Sequence, residues 1–437
     1  MARKLLVIAL LPAGAPVGDA LAAAGGGTSG YGGGGGGGGF GGGGSGSGSG
    51  EGSWEGVLFL VAIALVFLTI TAVGHIRYSR RRRARVRRVE LAAAEAAGED
   101  PAFAPDAVVA SAETLFGDVQ ASWDARDRER LARLVGADLL EEWTRRLDDF
   151  DRKQWHSRVA IVSGPKVEYV GLTNRAGEQD DRVVVRYEAT LRDYVEDGAG
   201  RRIHRTGKNS EIVEHCEYWT LARRDGGWIL ESIEQRAEGD HHLEGEIVAT
   251  PWADRETLHS EAVAECAAAG APPPGFSPAD LADLDFDGTA RAAALDLALA
   301  DGRFDPDLIE ASVRRAVAAW VQAVDGDDAA LEAVARPAVA GQLLYPGDGS
   351  RRTRLVVRGL RVDSVRIAAL DAAAAPPALA VEVRVSGRRY VEDRDTAAVL
   401  SGSRDREVAF AEHWTLGLEG PPAWPWRMIR AGAPAAA

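Results

Sequence analysis

The sequence predicts an α+β fold: two tandem modules, each of helices followed by a curved antiparallel sheet, standing after one transmembrane helix. Three observations carry this. An apolar run, Gly56 to Ile76, ends in eight arginines packed into residues 77–88. Beyond it, apolar residues recur at helical spacing first and in strand-like runs afterwards. Short motifs then return at nearly constant offsets of 195 to 197 residues, the mark of a duplication.

The 437 residues carry 46% hydrophobic and 27% charged side chains, a composition that excludes wholesale disorder and a polytopic membrane protein. The net charge of −14 is unevenly spread. Residues 1–88 hold ten Lys/Arg against three Asp/Glu, whereas the rest holds 41 against 62. A body this acidic repels nucleic acid, so no nucleic-acid partner is expected and the arginine run needs a local cause. Cys216 and Cys266 are too few for a disulfide framework or a four-cysteine zinc site.

At the amino end, Arg3 and Lys4 precede the apolar stretch Leu5 to Leu11 and the small residues around Ala22 to Ala24, the layout of a secretory signal over residues 1–24. Residues 25–55 are a Gly/Ser-rich tether, with too little side chain to offset the entropy of ordering it. The run over 56–76 is long enough to span about 30 Å of hydrocarbon as a helix. Arg77, Arg80, Arg81, Arg82, Arg83, Arg85, Arg87 and Arg88 follow it and mark the cytoplasmic side. A single-pass protein of a bacterial plasma membrane is therefore expected, with the glycine tether outside and residues 77–437 inside. All eight arginines are candidates for contact with anionic lipid.

Residues 77–104 are expected as a basic juxtamembrane helix and linker. The first module, 105–238, opens with helices over Asp106 to Trp123 and Asp127 to Leu147. Strand-like runs follow over Ser157 to Tyr169, Asp181 to Asp193, Glu211 to Arg223 and Gly227 to Gln235, the last two joined by an Asp-Gly hairpin signal. Residues 239–304 read as a linker with helical segments, and 305–431 as a second, divergent module. Tyr194-Val195-Glu196-Asp197 recurs as Tyr390-Val391-Glu392-Asp393, and Glu217-Tyr218-Trp219-Thr220-Leu221 as Glu412-His413-Trp414-Thr415-Leu416. Trp123 has its counterpart in Trp320, and Trp228 a looser one in Trp426.

The signal-like start, glycine tether, apolar span and arginine cluster, followed by Glu217-Tyr218-Trp219-Thr220-Leu221-Ala222-Arg223 and Gly226-Gly227-Trp228-Ile229-Leu230-Glu231-Ser232-Ile233, resemble bacterial proteins carrying a Tim44-like domain. The resemblance covers about residues 105–238, and reaches the second module only through the repeat. It implies NTF2-like cones, shared with nuclear transport factor 2 and ketosteroid isomerase, at the inner face of an energy-conserving membrane. Mitochondrial relatives bind acidic phospholipid and tether an import motor. The second module departs from the pattern where Tyr218 becomes His413 and the hairpin becomes Gly420-Pro421-Pro422.

A cone implies a cavity, for which Trp143, Tyr218, Trp219 and Trp228 are the lining candidates. Asp193, His215, Glu217 and Tyr218 have acid/base chemistry; strand alternation puts His215, Glu217 and Trp219 on one face and Cys216 and Tyr218 on the other. No motif fixes them as a catalytic set, so no catalytic residue and no cofactor are assigned. Asp240, His241, His242, Glu244 and Glu246 are metal-ligand types, but without rigid spacing they assign no metal. Arg201, Arg202, His204, Arg205 and Lys208 form a second basic loop, whose Arg201, Arg202, Arg205 and Lys208 are further lipid-contact candidates. The expected function is a membrane-anchored adaptor contacting anionic phospholipid or a membrane-associated protein. The alternative is a membrane-tethered cavity enzyme of isomerase or hydrolase type, or a binder of a small hydrophobic ligand.

Overall fold

The computed structural model describes residues 54–175, 177–203, 211–250, 284–326, 328–347 and 349–432, without the side chains of 54–64, 67 and 71. The expected signal segment and nearly all of the tether lie outside the described residues, as does the stretch 251–283. Among the described residues no helix is long and apolar enough to cross a membrane. The first half of the expected span lies among the side chains left undescribed.

One helix, α1 (Trp54–Ala96), runs unbroken from the apolar run through the arginines into the first unit. Tyr78, Arg82, Arg85, Val86, Val89, Ala93 and Ala96 recur at three- and four-residue steps, so they share one face. Val89, Ala93 and Ala96 are fully buried in the first core. A 3-10 turn (Pro101–Phe103) capped by Asp100 leads into α2 (Pro105–Ala125). The single helix expected over Asp127 to Leu147 is two, α3 (Arg128–Leu134) and α4 (Ala137–Arg152). Tertiary pairing breaks it: Val135 turns extended to bridge Leu230, and the Gly136 N–H donates to the Leu230 carbonyl at 2.7 Å.

The first sheet has the order β1-β2-β4-β5, built from β1 (Trp155–Thr173), β2 (Arg182–Asp197), β4 (Ile212–Arg224) and β5 (Gly227–Gln235), with the short β3 (Arg202–Ile203) on β2. All of these pairings are antiparallel. Helices α2 to α4 cover its inner face, where Trp123, Trp143, Trp219, Phe116 and Tyr187 fill the core. After β5 come the single turn α5 (Arg236–Gly239) and a 3-10 turn (Asp240–Leu243). Val248 then bridges Thr173 of β1.

The second unit repeats this plan and begins earlier than the sequence indicates. Within the stretch expected as linker, β6 (Leu284–Phe286) adds in parallel to β7 (Thr353–Asp371), and α6 (Gly288–Ala298) buries Ala290 and Ala294 in the second core. Helix α6 thus occupies the place that the carboxyl end of α1 holds in the first unit. Helices α7 (Pro306–Asp325), α8 (Asp328–Val334) and α9 (Pro337–Leu344) follow. The sheet is completed by β8 (Ala378–Asp393), β9 (Val399–Gly402), β10 (Val408–Leu418) and β11 (Trp426–Ala431), in the order β11-β10-β8-β7-β6 with β9 on β8.

The duplication extends to individual contacts. Phe103 meets the Trp228 ring edge-on at 5.5 Å, and Phe304 meets Trp426 the same way at 5.7 Å. The Trp228 indole N–H donates to the Ala102 carbonyl, and that of Trp426 to the Arg303 carbonyl. The Gly136 to Leu230 bond has its copy in Arg336 N–H to the Met428 carbonyl. Each unit closes by pinning the turn before its long helix to its last strand.

The units meet through buried charge. Arg394, 1% exposed and just past the second Tyr-Val-Glu-Asp motif, donates to Glu142 at 2.5 Å and Glu141 at 2.8 Å on α4. Arg146 faces Glu392 at 3.5 Å, Arg145 faces Asp395 at 3.0 Å, and Arg354 stands 3.9 Å from Glu142. Burial raises the Glu142 carboxyl against the pull of Arg146, Arg394 and Arg354. Removing one partner of such a pair strands the other in the seam. Arg394→Ala is expected to lower unfolding free energy by about 3–5 kcal/mol in urea titrations. Arg394→Met combined with Glu142→Gln should recover part of that loss, since no carboxylate at 142 is then left unpaired.

Candidate functional site: the seat of the long helix

Side chains alternate along each strand, so β-pairing lays rows of residues across each face of the first sheet. On the outer face, Glu168 pairs with Arg186, Arg186 with Tyr218, and Tyr218 with Glu234, making one row over four strands. The next row sets Lys166 beside Glu188 and Glu188 beside Cys216. The inner face carries Trp219 and Glu217, as the alternation from the sequence requires. Helix α1 lies across the outer rows.

Three contacts seat it. Arg85, 2% exposed, donates from Nε to the Val170 carbonyl at 2.6 Å, from Nη1 to Gly245 at 2.6 Å and from Nη2 to Glu246 at 3.3 Å. Among the described residues no carboxylate is paired with it, and burial pulls its guanidinium down to about 10. Arg82 and Arg186 share two glutamates: Arg82 lies 3.2 Å from Glu168 and 3.1 Å from Glu188, and Arg186 lies 3.4 Å and 2.7 Å from the same pair. Arg186 also donates to the Cys216 sulfur at 2.9 Å. Burial pushes that thiol up to about 11, so it stays protonated and unreactive near neutral pH. Finally, Tyr78 of α1 and Tyr218 of β4 both donate to Asp240, at 3.0 Å and 3.2 Å. Burial raises both phenols. Val86 and Tyr78 fill the space over Val170, Tyr218 and Leu243.

The eight arginines therefore divide. Arg85 is buried and Arg82 half-buried, both turned into the protein, and helical spacing from Tyr78 to Val89 is the sequence signal that separates them. Arg77, Arg80, Arg81, Arg83, Arg87 and Arg88 are exposed, with Arg81 paired to Glu244. In the second basic loop, Arg201 is held by Asp197, and Arg202 pairs with Glu211 and lies over the Tyr194 ring. His204, Arg205 and Lys208 lie outside the described residues.

The cavity candidates are core instead. Trp143 meets Trp123 edge-on at 5.3 Å, and Trp219 packs on Phe116 and Tyr187; each is fully buried. Trp228 closes the end of the unit, and Tyr218 belongs to the α1 seat. Packed aromatic volume occupies the space a cavity would need. His215 and Glu217 do come together, 3.5 Å apart and buried on the inner face. The Glu217 oxygens accept from the Trp219 indole at 2.9 Å and from Gln235 at 3.0 Å, a structural role. The Asp193 side chain is buried as well.

Of the metal-ligand types near residue 240, the chain separates Asp240 and Glu244, already engaged with α1, from His241 and His242. The histidines face Glu234 instead, at 3.4 Å and 3.0 Å. Sequence reading missed Glu234 because it lies on β5, and only the turn after the strand folds the histidines back over it.

Two outcomes follow for the seat. Arg85→Met leaves three carbonyls without their donor and is expected to cost about 1–3 kcal/mol, read as faster amide exchange along residues 78–96, whereas exposed Arg83→Met should change little. The Glu188 carboxyl is lowered: burial raises it, but the Arg186 bond and the charges of Arg186, Arg82 and Lys166 outweigh that. A lowered carboxylate contributes stability above the ordinary carboxylate range and loses it as pH falls through the folded pKa. Stability should thus decline on acidification toward that range in pH-dependent urea unfolding, and Glu188→Gln should flatten the decline.

Residues 89–235 match the Tim44-like domain, so the chain carries this domain from the last turns of α1 to the end of β5. No curated protein matches. Among solved structures, the chain is similar to the intermembrane space region of the chloroplast protein ARC6, at 14% identity over 29% of this chain and 95% of that one, with a TM-score of 0.24. It is also similar to an Ntf2-like protein involved in plasmid conjugation, at 10% identity over 70% of this chain and 87% of that one, with a TM-score of 0.18.

Proposed function

We propose that this chain is a membrane-anchored adaptor: α1 enters a bilayer at its amino end and holds two joined modules against the cytoplasmic leaflet, where the exposed arginines contact anionic phospholipid. The observation that carries this reading is the division of α1. Its described start leaves Leu65, Val66, Leu68, Ile70, Val73 and Ile76 exposed, each by 42% or more, an apolar surface that no described part of the chain covers. Its middle presents Arg77, Arg80, Arg81, Arg83, Arg87 and Arg88 outward. Its end is locked into the first unit by Arg82, Arg85 and Tyr78. A helix seated this firmly transmits the position of the bilayer to the modules without a hinge.

Each exposed basic residue beside an anionic leaflet contributes about 1 kcal/mol, an attraction that salt screens. Support also comes from the Tim44-like domain, whose match begins inside α1, so anchor and module are one piece. The aromatic filling of the first core favours the adaptor reading over the cavity-enzyme one.

Vesicle flotation of a chain beginning at residue 77 tests the lipid contact. It is expected to rise with vesicles containing anionic lipid at low salt, and to stay down in high salt or when the six exposed arginines become glutamine. Flotation indifferent to lipid charge, or absent altogether, would sink the lipid reading and point to a protein partner.

A further inference from the structure

Glu234, His241 and His242 lie where the first unit meets the second, and the adaptor reading makes no use of them. Glu234 is 1% exposed at the end of the outer row on β5. Its Oε1 is 3.0 Å from His242 Nε2, and its Oε2 is 3.4 Å from His241 Nδ1. The two imidazoles stand 4.0 Å apart by ring centre. All three donor atoms fall within 4.8 Å of one another. Oε2 is a buried carboxylate oxygen that accepts no hydrogen bond. Such an atom carries a desolvation cost that a cation would relieve.

We propose that these three side chains form a binding site for one divalent transition-metal cation of the zinc type, placed at the junction of the two units. Two imidazoles and a carboxylate are the donor set such ions prefer, with a fourth position left to solvent. Bonds of about 2.0–2.1 Å in a tetrahedral site put donors roughly 3.4 Å apart, against 3.0 and 3.4 Å from Glu234 to the two imidazoles. The surroundings hold the donors in place. Asp240, next to the histidines, is fixed by Tyr78 and Tyr218. Gly359 of the second unit, at φ +59°, approaches so closely that a side chain there would meet His241 at 3.1 Å. His241 keeps 30% of its side chain exposed, which gives a cation a way in.

Charge is compatible with this. Arg358 of β7 reaches within 3.9 Å of Glu234 but is bound to Asp325 at 2.7 Å. Counting Glu234, Asp325 and Arg358 leaves one negative charge for the cation. The His241 Nδ1 also lies 2.9 Å from the Glu238 carbonyl. In the metal-free protein it donates a proton there, and binding through Nδ1 releases that proton to solvent. A bound ion would tie β5 to the following turn beneath Arg358 and Gly359, so it would act as a pin at the seam.

The test is equilibrium dialysis of the detergent-solubilised, metal-free full chain against Zn2+, with Co2+ used for its visible spectrum. One equivalent retained, with tetrahedral Co2+ bands, is the expected result. Glu234→Gln and His242→Asn should each weaken binding at least about tenfold. His156→Asn, elsewhere on the first sheet, should leave it unchanged. Far-UV circular dichroism checks folding, and if a buried variant misfolds, the part-exposed His241→Asn decides. Failure to retain a stoichiometric ion, or retention that survives these substitutions, would overturn the site and leave the three groups as a proton-bridged structural cluster. Neither outcome touches the lipid reading, which rests on other residues.

Discussion

A guanidinium buried among three backbone carbonyls holds this molecule together. Arg85 joins α1 to the last residues of β1 and to the segment after β5, elements some 85 and 160 residues away along the chain. Because carbonyl dipoles satisfy it among the described residues, its charge depends on a close, dry fit to stay stable. The fit requires the outer row of the sheet to be polar where α1 crosses it. The Arg82, Arg186, Glu168 and Glu188 cluster and the shared Asp240 supply that polarity. A long helix that would otherwise be a loose stalk becomes part of the first unit.

Duplication explains the two units and divergence explains their join. Both copies retain the edge-on Phe and Trp pair and the indole bond to the turn preceding the long helix. They differ on their outer surfaces. In the first copy the Tyr-Val-Glu-Asp motif ends at Asp197, which caps a surface turn through the N–H groups of Ala199 and Arg201. In the second, the same motif runs into Arg394, which enters the seam against α4. Both copies use the motif's aspartate to cap the turn that follows, Asp393 accepting from the N–H groups of Asp395 and Thr396; the difference is the next residue of the second copy, Arg394, which binds the neighbouring unit. The contact sets α4 of the first unit against the turn after β8 of the second, so the units are not interchangeable.

How the sequence misled is as physical as how it informed. Eight arginines beside an apolar run read as a uniform basic collar, because composition does not distinguish the faces of a helix. Their spacing relative to Tyr78 and Val89 does, and it assigns Arg82 and Arg85 to the protein. Tryptophans in a cone-like sheet read as a lining, yet Phe116 of α2 packs on Tyr187 and Trp219 of the sheet, Trp123 meets Trp143 between helices, and together they fill the space. Helix α6, within the stretch read as a linker with helical segments, is rich in alanine and weakly patterned, so its burial depends on β7 and not on its own periodicity.

The sequence by itself determined the duplication, the order of helices and strands, the hairpin between β4 and β5 and the face on which Trp219 and Tyr218 fall. These follow from local periodicity and turn chemistry, which a chain carries wherever it is read. Only the tertiary structure decided what Arg82 and Arg85 are buried against, that Glu234 meets His241 and His242, and that the two copies join through Arg394 and Glu142. Those outcomes depend on strand pairing and docking between residues far apart in the chain. The free energy of a buried charge is set by the partners that folding brings to it, and the sequence around that charge does not name them.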